Sequence, residues 1–232
     1  MKRLRPYLKT FLVIFTGIAV ITTGMYWGVK TWGMRQIGMN IDWATFIQFN
    51  NITYLAAFLP DSITITPEQL VPYDTVRFRL AENMNDPYYC IKNGDAAFLE
   101  VGTPVFSIKD YSPLFRLWAG GILFEADTNP KARRGSDLLD IGGKVEYIET
   151  NMTERNTVKD PEHVACLVDM VLNASVNQKV PAEEKQIFVY FHLKDGTIVN
   201  RSYWPAQGQL HRGIMLPEEF WEILKMGDGE NP

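Results

Sequence analysis

Twenty consecutive uncharged residues, Thr10 to Val29, follow a tail that carries Lys2, Arg3, Arg5 and Lys9. No other feature of the chain constrains it so strongly. A helix of this length spans about 30 Å, the hydrocarbon thickness of a bilayer. Tyr26, Trp27 and Trp32 fall where an aromatic belt meets the outer interface. A cleaved signal peptide needs a shorter apolar core and a small-residue cleavage site. No A-x-A pattern follows this core, and no cysteine stands there for lipidation. A buried core helix fits poorly behind four cations. The expectation is an uncleaved anchor over 10–29, with the basic tail 1–9 in the cytoplasm and the rest of the chain outside. Gly24 and Gly28 form one G-x-x-x-G, and a single copy at the membrane edge reads as two helix glycines rather than a pairing seam.

Charge supports this division. The chain has 23 Lys or Arg, six of them in the first 35 residues, which leaves 17 against 27 Asp or Glu in the remainder. An acidic body lacks the clustered cations that neutralise phosphates, so nucleic acid is excluded as a partner. After a membrane-proximal segment, 30–44, the expected outer domain runs over 45–227, and 228–232 form a tail.

Within the outer domain the apolar pattern has period two as far as about residue 155. FIQFNNITYLAA (46–57) reads as a hairpin about Asn50-Asn51, since Asn tolerates positive φ. Residues 60–75, with three prolines, read as loop, and VRFRLAE (76–82) as a half-buried strand. GDAAFLEVGTPVFSIKD reads as two strands about Gly102-Thr103-Pro104. FRLWAGGILFEAD places a hairpin about Gly120-Gly121, and LLDIGGKVEYIET places strands about Gly142-Gly143, with a polar loop at 128–137 between them. The period then changes. Asp160 is an N-cap with Pro161 at the first helical position, and Val164, Leu167, Val168, Val171 and Leu172 follow helical spacing. KQIFVYFHLKDGTIVNRSYW is a hairpin about Asp195-Gly196, and LPEEFWEILKMG is a short closing helix. The expected fold class is α+β: a transmembrane helix, then a strand-rich extracytoplasmic domain ending in helix, hairpin, helix.

FNNITY, VRFRLAEN, GDAAFLEVGTPVFSIKDYSPLFRL, FEADTNPKARRGSDLLDIGGKVEYI, DPEHVACLVDMVL and FHLKDGTIVNRSYWPAQGQLHRGIMLPE together resemble a family of uncharacterised bacterial membrane-anchored extracytoplasmic proteins. Members carry an N-terminal anchor or lipoprotein signal and one outer domain. The resemblance covers residues 45 to 220 and implies placement outside the membrane in a bacterium. It implies no activity. Where the family's first turn looks like Asn-Gly, this chain has Asn50-Asn51.

Motifs for chemistry are absent: no G-x-S-x-G, no H-E-x-x-H, no Walker loop and no G-x-G-x-x-G between strand and helix. His163, His192 and His211 are far apart in sequence, and none has a second ligand at metal spacing, so neither metal nor cofactor is expected. Cys90 and Cys166 leave two readings open, one disulfide or two buried thiols, with Cys166 placed on the apolar face of its helix. Four N-x-S/T sequons begin at Asn51, Asn151, Asn173 and Asn200 and are read as unmodified. Asp137, Asp140, Glu146 and Glu149 gather about Gly142-Gly143. Solvated strand ends and turn capping explain them, and a carboxylate hydrolase acting on envelope polymers is the alternative function. Arg133-Arg134-Gly135-Ser136 reads as an exposed loop or a patch for an acidic ligand.

The candidate binding residues are polar or aromatic side chains without an evident core role: Lys109, Tyr111 and Arg116 about Pro113, then Tyr203, Trp204 and Arg212 after the Asp195-Gly196 hairpin. Rings beside cations suit sugars and acidic groups. The expected function is a single-pass, membrane-anchored binding or regulatory module, with an envelope protein or cell-wall polymer as partner. A subunit of a larger membrane complex is a third possibility, and it predicts an exposed apolar patch.

Overall fold

The computed structural model describes residues 44–227 except 82, 85, 87, 153–155 and 178–184. The expected membrane span 10–29, the basic tail 1–9 and the tail 228–232 lie outside the described residues. No described helix is long and apolar enough to cross a membrane.

The described residues form fourteen strands and two α-helices. β1 (Phe46–Phe49) and β2 (Ile52–Ala56) are followed by β3 (Leu70–Thr75), β4 (Phe78–Arg79), β5 (Asp95–Ala96), β6 (Pro104–Ile108), β7 (Arg116–Ala119) and β8 (Ile122–Thr128). These eight make one sheet in the order β3-β6-β7-β8-β2-β1-β5-β4. β9 (Val145–Thr150), β10 (Thr157–Val158), helix α1 (Pro161–Asn173), β11 (Ile187–Leu193), β12 (Ile198–Trp204), β13 (Gln209–Leu210), β14 (Ile214–Met215) and helix α2 (Glu218–Met226) complete the chain. Their six strands make a second sheet, β10-β9-β11-β12-β13-β14. The described fold is thus mostly β, with two helices serving the second sheet.

Local chemistry sets the hairpins. Asn50 and Asn51 both take positive φ (52° and 59°), the twist that matches flanking strands in a two-residue turn. Gly120 and Gly121 do the same between β7 and β8. At the β11–β12 tip, Asp195 Oδ1 accepts from the N–H and the hydroxyl of Thr197, at 2.9 and 2.6 Å. Helix α1 starts as expected, with Asp160 Oδ1 accepting from the N–H groups of Glu162 and His163.

Four expectations fail for physical reasons. Residues 60–75 are not all loop: β3 carries Pro72, and it is the edge strand, with a register shift between Pro72 and Asp74, which is where a sheet tolerates a missing donor. VRFRLAE contributes only the two residues of β4, which run parallel to β5. The strands on either side of Gly102-Thr103-Pro104 do not pair with each other. Val76 clamps the turn instead, its N–H donating to Thr103 O (2.9 Å) while Gly102 N–H donates to Val76 O (2.8 Å). β5 then joins β1, and β6 joins β3 and β7. Before Gly142-Gly143 there is no strand, because Leu138, Leu139 and Ile141 point into the core under α1. That segment lies so close to the helix that a side chain at Gly135 would meet the Val171 carbonyl at 1.9 Å.

The larger core fills the space between one face of the second sheet and both helices. Val189, Phe191, Val199 and Tyr203 meet Val164, Leu167 and Val171 of α1 and Phe220 and Leu224 of α2 there. β11 alternates strictly: Ile187, Val189, Phe191 and Leu193 are buried, while Phe188, Tyr190 and His192 are half-buried on the opposite face. A second core, including Phe49, Tyr54, Leu117 and Phe124, belongs to the first sheet.

Cys90 and Cys166 are free thiols, and both are exposed. The buried placement expected for them is corrected: Cys90 lies in no strand, and Cys166 sits on the solvent side of α1.

Candidate functional site

A buried charge cluster joins the two sheets. The two-residue turn at Gly120-Gly121 fixes a register in which Arg116 faces Glu125. Arg116 Nε and Nη2 donate to Glu125 Oε1 at 3.0 and 2.6 Å. Arg201 of the second sheet donates through Nη1 to Glu125 Oε2 at 3.0 Å. Arg116 also donates through Nη1 to the Thr197 hydroxyl (2.9 Å), and its guanidinium lies 4.5 Å from the Tyr111 ring centre and 5.1 Å from that of Phe115. Arg116 is 1% exposed, so this expected binding residue is structural. Two guanidinium groups clamp one carboxylate across the seam, an arrangement that requires all three partners.

Beside this cluster opens a cleft of about 510 Å³ lined by Lys109, Tyr111, Arg116, Lys144, Lys194, Asp195 and Thr197 among others. The Tyr111 hydroxyl donates to Asp195 Oδ2 at 2.7 Å. Burial pushes the Tyr111 phenol above its ordinary range, with the Arg116 charge pulling the other way. Burial also pushes the Asp195 carboxyl up. Hydrogen bonds from Thr197 and Tyr111, with the charge of Arg116, hold it on balance below its usual value. Tyr111 is therefore a neutral donor and Asp195 an anion at neutral pH. Lys144 sits 4.8 Å from the Tyr111 ring centre and is paired with Asp140, whose other oxygen accepts from Ser112 N–H at 2.7 Å.

Two cations of the cleft remain uncommitted. Lys194 Nζ donates to the Gly143 carbonyl at 2.7 Å, and Lys109 is exposed. Neither ammonium has a carboxylate partner among the described residues. The cleft therefore offers two ammoniums without a carboxylate partner, which suit a carboxylate or phosphate group, while the Tyr111 and Thr197 hydroxyls already donate to Asp195.

The second expected trio does not assemble. Tyr203 is 0% exposed and packs in the core against Phe220 and Trp221, with ring centres 5.3 and 5.9 Å apart. Its buried hydroxyl has no hydrogen-bond partner among the described residues. Trp204 is half-buried at the end of β12. Arg212 is exposed and bonds Asp127, which also accepts from His211 Nε2 at 2.8 Å. Burial pushes the Asp127 carboxyl up, and the hydrogen bonds and charges of His211 and Arg212 more than reverse this.

The remaining expected chemistry resolves into support. Asp137 accepts from the N–H groups of Arg133 (2.7 Å) and Arg134 (3.0 Å), as a turn cap does. Glu149 lies 3.2 Å from His192 Nε2, and His192 stacks on Tyr147 with centres 4.0 Å apart. His163 is exposed beside the Asp160 cap. No group of three or more His, Cys, Asp or Glu could hold a metal ion among the described residues.

Lys144, Lys194, Asp195 and Thr197 were not among the expected site residues. The Asp195-Gly196 hairpin tip is the local signal for Lys194, Asp195 and Thr197, and the Gly142-Gly143 turn for Lys144. No family model, curated protein or solved structure matches this chain.

Proposed function

We propose that this protein is a single-pass, membrane-anchored binding module of the bacterial envelope, with the α+β domain 45–227 outside the membrane and a cleft that takes an anionic group. Residues 10–29 cross the bilayer, and the basic tail stays in the cytoplasm. The observation that carries the binding assignment is the pair of ammoniums without a carboxylate partner among the described residues, Lys109 and Lys194, on a cleft where Arg116 and Lys144 are paired with Glu125 and Asp140 and which Asp110 also lines. Tyr111 and Thr197 hold Asp195 with their hydroxyl protons. The ligand is a carboxylate- or phosphate-bearing group of an envelope protein or wall polymer. Because the rest of the body is acidic, attraction is short-ranged and weakens with salt. The resemblance to membrane-anchored extracytoplasmic proteins supports the same placement.

Two measurements test this. Protease added to spheroplasts digests the C-terminal domain if it lies outside, and protection there refutes the topology. The full chain in detergent micelles, titrated with inorganic phosphate and with poly-L-glutamate, binds at low salt and loses binding in the Lys109→Ala plus Lys194→Ala variant. Equal binding by the variant refutes the site.

A further inference from the structure

The second sheet has one face buried under both helices, and its opposite face is open. Phe188, Tyr190 and His192 of β11 lie on that open face, together with Ile198, Asn200 and Ser202 of β12. Two clefts run along it. One, about 430 Å³, lies between Phe188, Tyr190, Asn200 and Ser202 on the floor and the Leu55–Phe58 segment at the end of β2. The other, about 300 Å³, is lined by Glu149, Asn151, His192 and again Tyr190 and Ile198. Since Tyr190 and Ile198 line both, the clefts form one elongated groove.

Its chemistry differs from that of the lysine cleft. Rings recur along it: Phe58, 67% exposed, on the wall, and Phe188 and Tyr190 with centres 6.4 Å apart on the floor. Between them stand an amide (Asn200), a hydroxyl (Ser202) and a carboxylate (Glu149). Among the described residues the cations of the groove face carboxylates: Arg201 is bound through Nη1 to Glu125, its Nη2 being buried without a partner, and His211 to Asp127. Burial also lowers the His192 pKa, against the pull of Glu149, so the imidazole is neutral at neutral pH. Glu125, Asp127 and Glu149 outnumber Arg201 in the lining, so an anionic ligand meets no excess of positive charge here.

An extended peptide is a poor fit, because peptides add to sheet edges, where backbone groups are unpaired. The floor of this groove is the face of a ladder in which β11 is already paired on both sides, to β9 and β12. A chain of sugar rings matches better. Each ring offers an apolar C–H face to stack on an aromatic side chain and a rim of hydroxyls for amide and carboxylate partners.

We propose that the open face of the second sheet is a binding groove for a neutral oligosaccharide, centred on Tyr190 and Asn200. It stands independently of the lysine cleft. The test is calorimetric titration of the full chain in detergent micelles with four neutral hexasaccharides: chitohexaose, cellohexaose, xylohexaose and maltohexaose. At least one binds at millimolar or lower concentration, and Tyr190→Ala weakens it about tenfold. Asn200→Ala, at an exposed position where folding is not at stake, weakens it as well. Lys109→Ala plus Lys194→Ala leaves it unchanged. The proposal is overturned if none of the four binds, if an extended peptide binds the groove in their place, or if sugar binding survives Asn200→Ala unaltered.

Discussion

Arg116 and Lys109 stand seven positions apart in one connection, and both are cations beside Tyr111, yet they occupy opposite regimes. Arg116 lies in the seam between the sheets, bound to Glu125 and Thr197 and stacked on two rings. Lys109 lies on the open cleft, exposed and without an ion pair among the described residues. Removing a buried partner leaves a charge stranded away from water, whereas removing an exposed one returns a side chain to solvent. Residue type alone therefore does not separate support from recognition. Burial and partner saturation do.

The largest effect expected from this contrast is at Glu125. Glu125→Ala strands both Arg116 and Arg201 in the seam, and breaking buried pairs of this kind costs about 3–5 kcal/mol. Urea unfolding of the variant measures it. A loss below about 1 kcal/mol would show that solvent reaches the seam, and would erase the distinction between the two regions.

Tyr203 extends the comparison to a neutral group. Its hydroxyl is buried in the core without a partner among the described residues, and burial pushes its pKa up to about 12. Tyr203→Phe removes an unsatisfied donor while keeping the ring between Phe220 and Trp221. The expected result is a gain of about 1 kcal/mol in stability by the same unfolding measurement. A loss would mean that the hydroxyl is satisfied in solution.

The hairpins and α1 were legible because turns and caps are local. The Gly120-Gly121 turn even implied the Arg116–Glu125 pairing, since a two-residue turn there sets those positions opposite each other. A Glu inside the apolar run ILFEAD is itself a sign of a buried, paired charge. The pattern itself excludes Cys166 from the apolar face: Val164, Leu167, Val168 and Val171 define the buried stripe, and position 166 falls about 150° from its centre. What no local pattern held was long-range. Arg201 reaches Glu125 from another sheet, and Asp195 reaches Tyr111 across 84 positions. β3 is hidden by Pro72, and the strand expected before Gly102 shrinks to the two residues of β5.

Protonation gives a smaller and directional test. For His192, held below its usual 6.5 by burial, the unfolded chain takes up a proton first as pH falls. Its contribution is fully present above pH 6.5 and is lost as pH drops below that value towards the folded pKa. Glu149 and Glu146 act on the ring in the opposite sense, and Tyr147 stacks on it. Asp195 and Asp127 lie below their usual 3.8, so their stabilisation persists until far lower pH. Stability should therefore decline between pH 7 and 5, and His192→Gln should flatten that slope while leaving the acid limb below pH 4 in place. A slope unchanged by His192→Gln would move its origin to other groups.

The smallest stability change and the clearest functional one are expected together. Lys109→Ala plus Lys194→Ala removes two ammoniums that face solvent and satisfy no carboxylate, so unfolding free energy should stay within about 0.5 kcal/mol of the parent. Phosphate or poly-L-glutamate binding should vanish in the same variant. A charge reversal, Lys109→Glu plus Lys194→Glu, should repel the same probes and remain folded, because the seam supplies its own balance through Glu125. If instead the double alanine variant unfolds near the midpoint shift of Glu125→Ala, the cleft lysines belong to the same structural network as Arg116. The molecule would then have one charged region rather than two.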